Sequence, residues 1–317
     1  MNKKIGTKII KSVIVLAVAL FLHNWLYSAF QMYNWGGRPA GMGFAFVGIA
    51  DDSNCMNYNP AGLSLIKKQE LQFLYAKPFM GVENVEIGFL SLKYTGAVKG
   101  VGKIGLIIDQ FDAGSGLYKE FIYGVGIGDR VYKMSDGTEI FAGGKVKYMG
   151  HSYSYDESLL SYSEVYGDSV VSKGRSKTGI TLDLGLVAKK DFLTVGLAVE
   201  NLTQPDLGIA YEDKVPMLIR VGGSYFIPKQ NILVSVEIDL RQQTYGENNM
   251  SYGLGGEYMV KENIILRAGY STKGITVGGS IITKMQQKNL LGLDAAYILN
   301  SGELSGSDLQ VSVKYQW

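Results

Sequence analysis

From about residue 70 onward the chain repeats a unit of roughly ten residues in which apolar and polar positions alternate with period two, each unit closed by turn residues. Between Ile232 and Arg241 every even position is aliphatic, whereas Ser235, Glu237, Asp239 and Arg241 fill four of the five odd ones. A strand sends these two sets to opposite faces. The same sorting opposes Met217, Ile219, Val221 and Tyr225 to Arg220 and Ser224, and Ile264, Leu266, Ala268 and Tyr270 to Arg267 and Ser271. It also opposes Ile180, Leu182, Leu184 and Leu186 to Thr181 and Asp183, and Leu291, Leu293, Ala295 and Tyr297 to Gly292 and Asp294. The pattern predicts fourteen strands, over 70–79, 85–95, 102–111, 120–130, 138–149, 178–189, 191–200, 216–227, 231–242, 250–260, 263–272, 274–284, 289–299 and 308–317.

A soluble sandwich also alternates, so three further features choose the architecture. The strands cluster near the 9 to 11 residues that a tilted strand needs to cross hydrocarbon. Connections alternate short and long: Lys189 to Asp191, Pro228 to Gln230, Lys261 to Asn263 and Met285 to Lys288 are tight, while 150–177, 201–215, 242–249 and 300–308 are longer and polar. The last strand stops on an aromatic residue, with Leu309, Val311, Val313, Tyr315 and Trp317 on one face, resembling the signal read by the outer-membrane barrel assembly machinery. The expected fold is therefore all-β: a transmembrane antiparallel up-and-down β-barrel of about fourteen strands over 70–317. Closure satisfies every backbone donor and acceptor without leaving an edge. Tyrosines near strand ends, such as Tyr94, Tyr148, Tyr211 and Tyr225, are candidates for interfacial girdles.

Composition agrees. Glycine is 41 of 317 residues and tyrosine 21, with only 6 prolines, which suits curved sheet rather than disorder. Ahead of the barrel, Lys3, Lys4, Lys8 and Lys11 precede the apolar run Val13 to Leu22, and Ser28 and Ala29 follow. This reads as a signal peptide over 1–29, cut after Ala29, because the apolar run is about half of what a spanning helix needs. Its removal takes away four lysines and no acidic residue, moving the formal net charge from +2 to about −2 and giving no case for nucleic acid. The lone Cys55 reads as a small buried side chain. No metal cluster, Walker loop or dinucleotide fingerprint is present, so no cofactor is expected.

Residues 30–69 have a different character, rich in small residues and turn formers, and predict a compact N-terminal hatch in the lumen with a brief helix at Leu63 to Ile66. Gly124, Gly126 and Gly128 strip one strand face of side chains and let such a hatch approach closely. The run Gly37-Arg38-Pro39-Ala40-Gly41-Met42-Gly43, followed by Ala50-Asp51-Asp52 and Asn59-Pro60-Ala61-Gly62-Leu63, resembles the N-terminus of PorV/PorQ-type (UPF0164-like) outer-membrane proteins, relatives of the long-chain fatty-acid transporter (FadL) group. Glu200-Asn201-Leu202, Pro216 and Gly222 to Tyr225 resemble a second stretch of those proteins. The resemblance implies a fourteen-strand barrel plugged by its N-terminus, with Asn59, Pro60 and Ala61 as the hatch residues that bind ligand or gate its passage. It also implies the bacterial outer membrane as location.

Two functions follow as expectations. The first is passive transport of a hydrophobic or amphipathic, fatty-acid-like small molecule. The second is a docking and shuttle role in type IX protein secretion, with secreted proteins as partners of the loops. The expected lumen-facing charges Asp183, Arg220, Glu237, Asp239, Arg241, Glu257, Arg267 and Asp294 line water, bind ligand or pair with one another to brace wall and hatch. Outer-membrane lipid is the expected surrounding. Catalysis is not expected: His151 beside Ser152 and Ser154 has the wrong strand parity for a nucleophile and base, and a place on the loop surface is expected for it.

Overall fold

The computed structural model describes residues 30, 35–83, 86–154, 173–242, 249–301 and 306–317; the expected export signal and much of the connection 150–177 lie outside them. Fourteen strands run in chain order: β1 Glu70–Met80, β2 Ile87–Val98, β3 Gly102–Ala113, β4 Tyr118–Lys133, β5 Glu139–Tyr153, β6 Ser176–Lys190 and β7 Leu193–Glu200. They continue as β8 Leu218–Ile227, β9 Ile232–Arg241, β10 Asn249–Lys261, β11 Ile264–Ser271, β12 Gly274–Lys284, β13 Leu290–Asn300 and β14 Ser307–Gln316. Each pairs antiparallel with its sequence neighbours, and β1 closes on β14 with Glu70 opposite Gln316 and Lys77 opposite Leu309, giving a closed barrel. The expected strand count holds. One irregularity marks the seam, a register shift between Lys77 and Met80, where Phe79 takes φ 54° and donates its N–H to Asp308 at 3.0 Å.

Strand ends differ from the expectation chiefly at β4 to β6. β4 continues past its expected end at Arg130 to Lys133, and β5 past Met149 to Tyr153. Polar residues such as Lys133 and Ser152 fall outside the apolar alternation, but the backbone ladder carries on past the apolar belt, where side-chain polarity no longer opposes it. Both ends of the sheet, Glu70 and Gln316, lie at the end with tight turns; the longer connections lie at the other end.

The burial pattern is inside out. Val236 is 61% exposed and its neighbour Glu237 3%. Along β9, Val234, Val236, Ile238 and Leu240 all face outward, and so do Ile180, Leu182, Leu184 and Leu186 on β6. In water such a continuous apolar surface is unfavourable by about 25 cal/mol per Å² left wet. An apolar surrounding removes that cost, and the alternation apolar-out, polar-in is that of barrels built for it. Tyr148 and Tyr225 belong to this outer surface, whereas Tyr211 lies off the strands, in the connection between β7 and β8.

Residues 35–66 occupy the interior. They form α1 (Gly37–Gly41), α2 (Cys55–Tyr58) and a 3-10 helix (Pro60–Leu65), with turns between, and nearly all are buried against the inner faces of the strands. The 3-10 helix starts three residues earlier than the brief helix expected at Leu63, because Asn59 caps it and Pro60 presets its first turn. Cys55 is buried in an apolar cluster with Ala50, Met56, Leu63, Ile66 and Ile107.

Candidate functional site

Strand parity brings carboxylates and cations together inside the wall. On β8, Arg220 is fully buried; Nε donates to Glu200 Oε1 at 2.6 Å, and Nη1 to Glu237 Oε1 at 3.0 Å and Asp239 Oδ2 at 2.8 Å. Its guanidinium also lies 4.9 Å from the centroid of the Tyr58 ring. The second oxygen of Glu237 accepts the backbone N–H groups of Phe46 and Val47, both at 2.6 Å. One carboxylate thus joins wall to inner segment. Three carboxylates around one guanidinium form a group that tolerates burial only while complete.

A second group spans β10 to β14. Arg267 donates to Glu257 Oε2 at 2.7 Å and to Asp294 Oδ1 at 3.1 Å, and Lys314 lies 3.0 Å from Asp294 Oδ2. From the inner segment, Arg38 reaches Glu257 at 2.9 and 3.2 Å while its Nη1 holds Asp51 at 2.6 Å and Asp52 at 3.0 Å. Arg38 is therefore the clasp between segment and wall on this side. Its planar fork matches two carboxylates at once, which an ammonium would not. On β5 and β6, Asp183 pairs with Lys145 and Lys147, each at 2.9 Å; Lys145 also donates to the Met56 carbonyl and Lys147 to Asn201 at 2.6 Å. Arg241 is half-buried at the loop end of β9.

Asn59, Pro60 and Ala61 sit against β5 and β6. Asn59 Nδ2 donates to the carbonyls of Val47 (3.2 Å) and Leu186 (3.1 Å), and its Oδ1 accepts the Ala61 N–H at 3.1 Å. A Cβ at Gly185 would overlap Asn59 Oδ1, and one at Gly143 would overlap the Pro60 carbonyl, so two bare strand positions admit the motif. Gly126 and Gly128 make room in the same way for Leu63 and Pro60.

The interior is not uniformly polar. Near the loop end, Trp35 stacks on Phe89 with ring centroids 4.3 Å apart, over Leu74 and Ala76, with Phe111 packed alongside. Beside them runs a narrow crevice with a cavity volume of about 20 Å³, lined by Trp35, Phe89, Phe111, Phe121, Ile122, Asp109 and Glu120. A second narrow space shares Asp109 and Ile122 and extends to Lys145, Lys147 and Glu200. Sequence reasoning did not single out this aromatic set. Phe89 and Phe111 share the inward parity of Ser91 and Asp109, but glycine obscured the alternation there.

His151 corrects the expectation of a loop-surface place. It lies on β5, 4% exposed, with Nε2 2.7 Å from the Leu207 carbonyl and its ring against Tyr118 and Tyr153. The connection 201–217 folds back over the strand ends, with buried Leu207 at its inner side, and covers the histidine.

An inside-out, closed fourteen-strand wall filled from within by its own N-terminal segment has the fold of FadL-type barrels of known structure. Residues 110–281, more than half of the chain, match the family described as F plasmid transfer operon, TraF, protein, and the chain belongs to that family. Solved structures with the same fold include the Ralstonia pickettii toluene transporter TbuX (TM-score 0.62, 13% identity, 91% of this chain and 99% of that one). The CymD monoaromatic hydrocarbon channel gives a TM-score of 0.60 at 15% identity over 91% of this chain and 98% of the other. A Pseudomonas aeruginosa FadL homologue gives 0.55 at 12% identity over 88% and 97%. No curated protein matches the chain in sequence.

Proposed function

We propose that the chain is a passive channel of the bacterial outer membrane for small hydrophobic or amphipathic molecules, exported by its first 29 residues, with residues 30–69 as the hatch. The observation that carries this reading is the aromatic crevice between Trp35 of the inner segment and Phe89 and Phe111 of the wall. A pore for ions or sugars needs water along its whole lining, and stacked rings at its loop end work against that. The apolar outer belt supports a place in lipid, and the fold shared with a toluene transporter and a monoaromatic hydrocarbon channel supports hydrophobic cargo. The PorV/PorQ-type resemblance rests on the N-terminal motifs. A secretion-docking role would use 201–215 as a free surface, and that connection instead folds inward through Leu207.

The test is uptake by vesicles with a lipopolysaccharide outer leaflet, with and without the refolded protein, using radiolabelled toluene, a labelled long-chain fatty acid and labelled sucrose. The expected result is uptake of a hydrophobic probe above empty vesicles with sucrose excluded. No excess uptake by a folded barrel, or equal passage of sucrose, would contradict the proposal.

A further inference from the structure

Charge divides the two ends of the wall. Over the tight connections, the approach 67–69 and the five strand residues on either side of each, ten Lys and Arg are exposed against four exposed Asp and Glu. The longer connections 150–177, 201–215, 242–249 and 300–308 reverse the sign, with ten Asp and Glu and four Lys and Arg. Some of the rim cations are already paired: Arg130 and Lys133 lie 2.5 and 3.6 Å from Glu139, Lys190 lies 2.8 Å from Asp136, and Lys284 lies 2.8 Å from Glu262. Lys67, Lys99, Lys189, Lys229, Lys261 and Lys288 are exposed and have no carboxylate partner among the described residues. They are spread one to a connection, from the approach to β1 round to the turn between β12 and β13.

These lysines adjoin the apolar outer surface. Exposed Val98 and Val101 flank Lys99, exposed Phe192 and Leu193 follow Lys189, Met259 and Val260 precede Lys261, and Met285 precedes Lys288. A cation at the edge of an apolar belt lies at the depth of lipid headgroups, where its stem rests on apolar surface while its ammonium reaches a phosphate. A folded protein partner would meet one sector of such a ring; an annulus of headgroups meets all of it. We propose that the tight-turn rim is a ring-shaped binding surface for net-negative phospholipids, the phosphatidylglycerol type, with the six unpaired lysines on their phosphates. The acidic connections at the other end repel the same headgroups, so the preference belongs to one leaflet.

This inference rests on the wall standing in lipid and is independent of what the barrel carries. It is tested by electron spin resonance of nitroxide-labelled phosphatidylglycerol and phosphatidylcholine in phosphatidylcholine vesicles holding the refolded chain, where the immobilised fraction of each label gives its relative association with the wall. Phosphatidylglycerol is expected to be favoured about fivefold at low salt, the effect of one lysine near an anionic headgroup. The ratio is expected to approach one in 1 M sodium chloride, where charges are screened beyond about 3 Å. Glutamine at all six lysines is expected to bring the low-salt ratio close to one, whereas Lys173→Gln with Lys177→Gln, at the other end, leaves it unchanged. Should the sixfold variant fail to refold, Lys189→Gln, Lys229→Gln and Lys261→Gln together are expected to lower the ratio to about twofold, since separate sites add. Equal immobilisation of the two lipids by the unaltered chain overturns the inference and leaves the rim to an acidic soluble partner. An unchanged ratio in the folded rim variants, or an equal fall in the control at the other end, overturns it as well. If neither lipid is immobilised, the wall is not in lipid and the inference falls with that reading.

Discussion

The two sides of the barrel interior hold the inner segment by different chemistry. Toward β8 to β14, the carboxylates Glu237 and Glu257 that grip the segment are also paired with a wall guanidinium, so each bond is part of an ion-pair group, in which Asp239 Oδ1 alone of the Arg220 carboxylate oxygens is buried without a hydrogen-bond partner among the described residues. Toward β1 to β3, Lys93 and Asp109 meet asparagine side chains, and the buried polar atoms of Gln72, Ser91 and Thr95 have no hydrogen-bond partner among the described residues. A satisfied buried network is rigid, whereas a partly satisfied one is locally costly. The side that carries the aromatic crevice is therefore the side on which the segment yields first.

The strongest way to break this contrast is Arg220→Met, which strands Glu200, Glu237 and Asp239 in the interior. Urea unfolding in detergent should show a loss of about 3–5 kcal/mol or failure to refold; a loss under ~1 kcal/mol would mean the group is not rigid. Arg38→Ala removes the clasp but leaves the wall network, and should cost about 2–3 kcal/mol, felt by the segment. Amide exchange should rise at Ala40, Met42 and Phe46 while strand amides keep their protection. Asn59→Ala removes a helix cap and two donors to backbone, at about 1–2 kcal/mol, read from the same unfolding curves.

On the yielding side the sign reverses. Thr95→Val swaps an unpartnered buried hydroxyl for a methyl of the same shape and should be neutral or stabilising by up to about 1 kcal/mol, against a loss for any paired polar residue opposite. The smallest effect concerns Asp206, in the connection 201–217, where the N–H groups of Asp213 and Gly208 hold the carboxyl below its usual range. A depressed folded pKa means a contribution fully present above the unfolded value near 4 and lost as pH falls through the folded one. Asp206→Asn should therefore speed exchange of the Gly208 and Asp213 amides at pH 6 but change nothing once acid has protonated the wild type.

Much of the wall was legible because its cause is local. Period two, turn residues and alternating connection lengths are properties of neighbouring residues, and they carried strand number and closure. The ends of β4 and β5 were not, since polar residues such as Lys133 and Ser152 stay in a ladder once their partners across the sheet extend as far. The interior was less legible still. Parity along β6, β8 and β9 sorts charged residues onto one face, but nothing in it says that Arg220 meets three carboxylates or that Glu237 turns its other oxygen to Phe46 and Val47. Those contacts join residues separated by up to 191 positions. Lys145 and Lys147 could have been found, because they share the parity of Met149 opposite the outward Val146 and Tyr148. Trp35 could not, because its partner Phe89 is reached only through the fold.

The central claim is that a hydrophobic molecule enters the barrel at the Trp35 crevice. A radiolabelled aryl-azide analogue of toluene, photolysed on the protein in vesicles with a lipopolysaccharide leaflet and mapped by peptide mass spectrometry, tests it most directly. Labels on Trp35, Phe89, Phe111 or Ile122, competed by unlabelled toluene, are the predicted result. Labels confined to the outer belt, at residues such as Val236 and Leu266, with none inside, would contradict it.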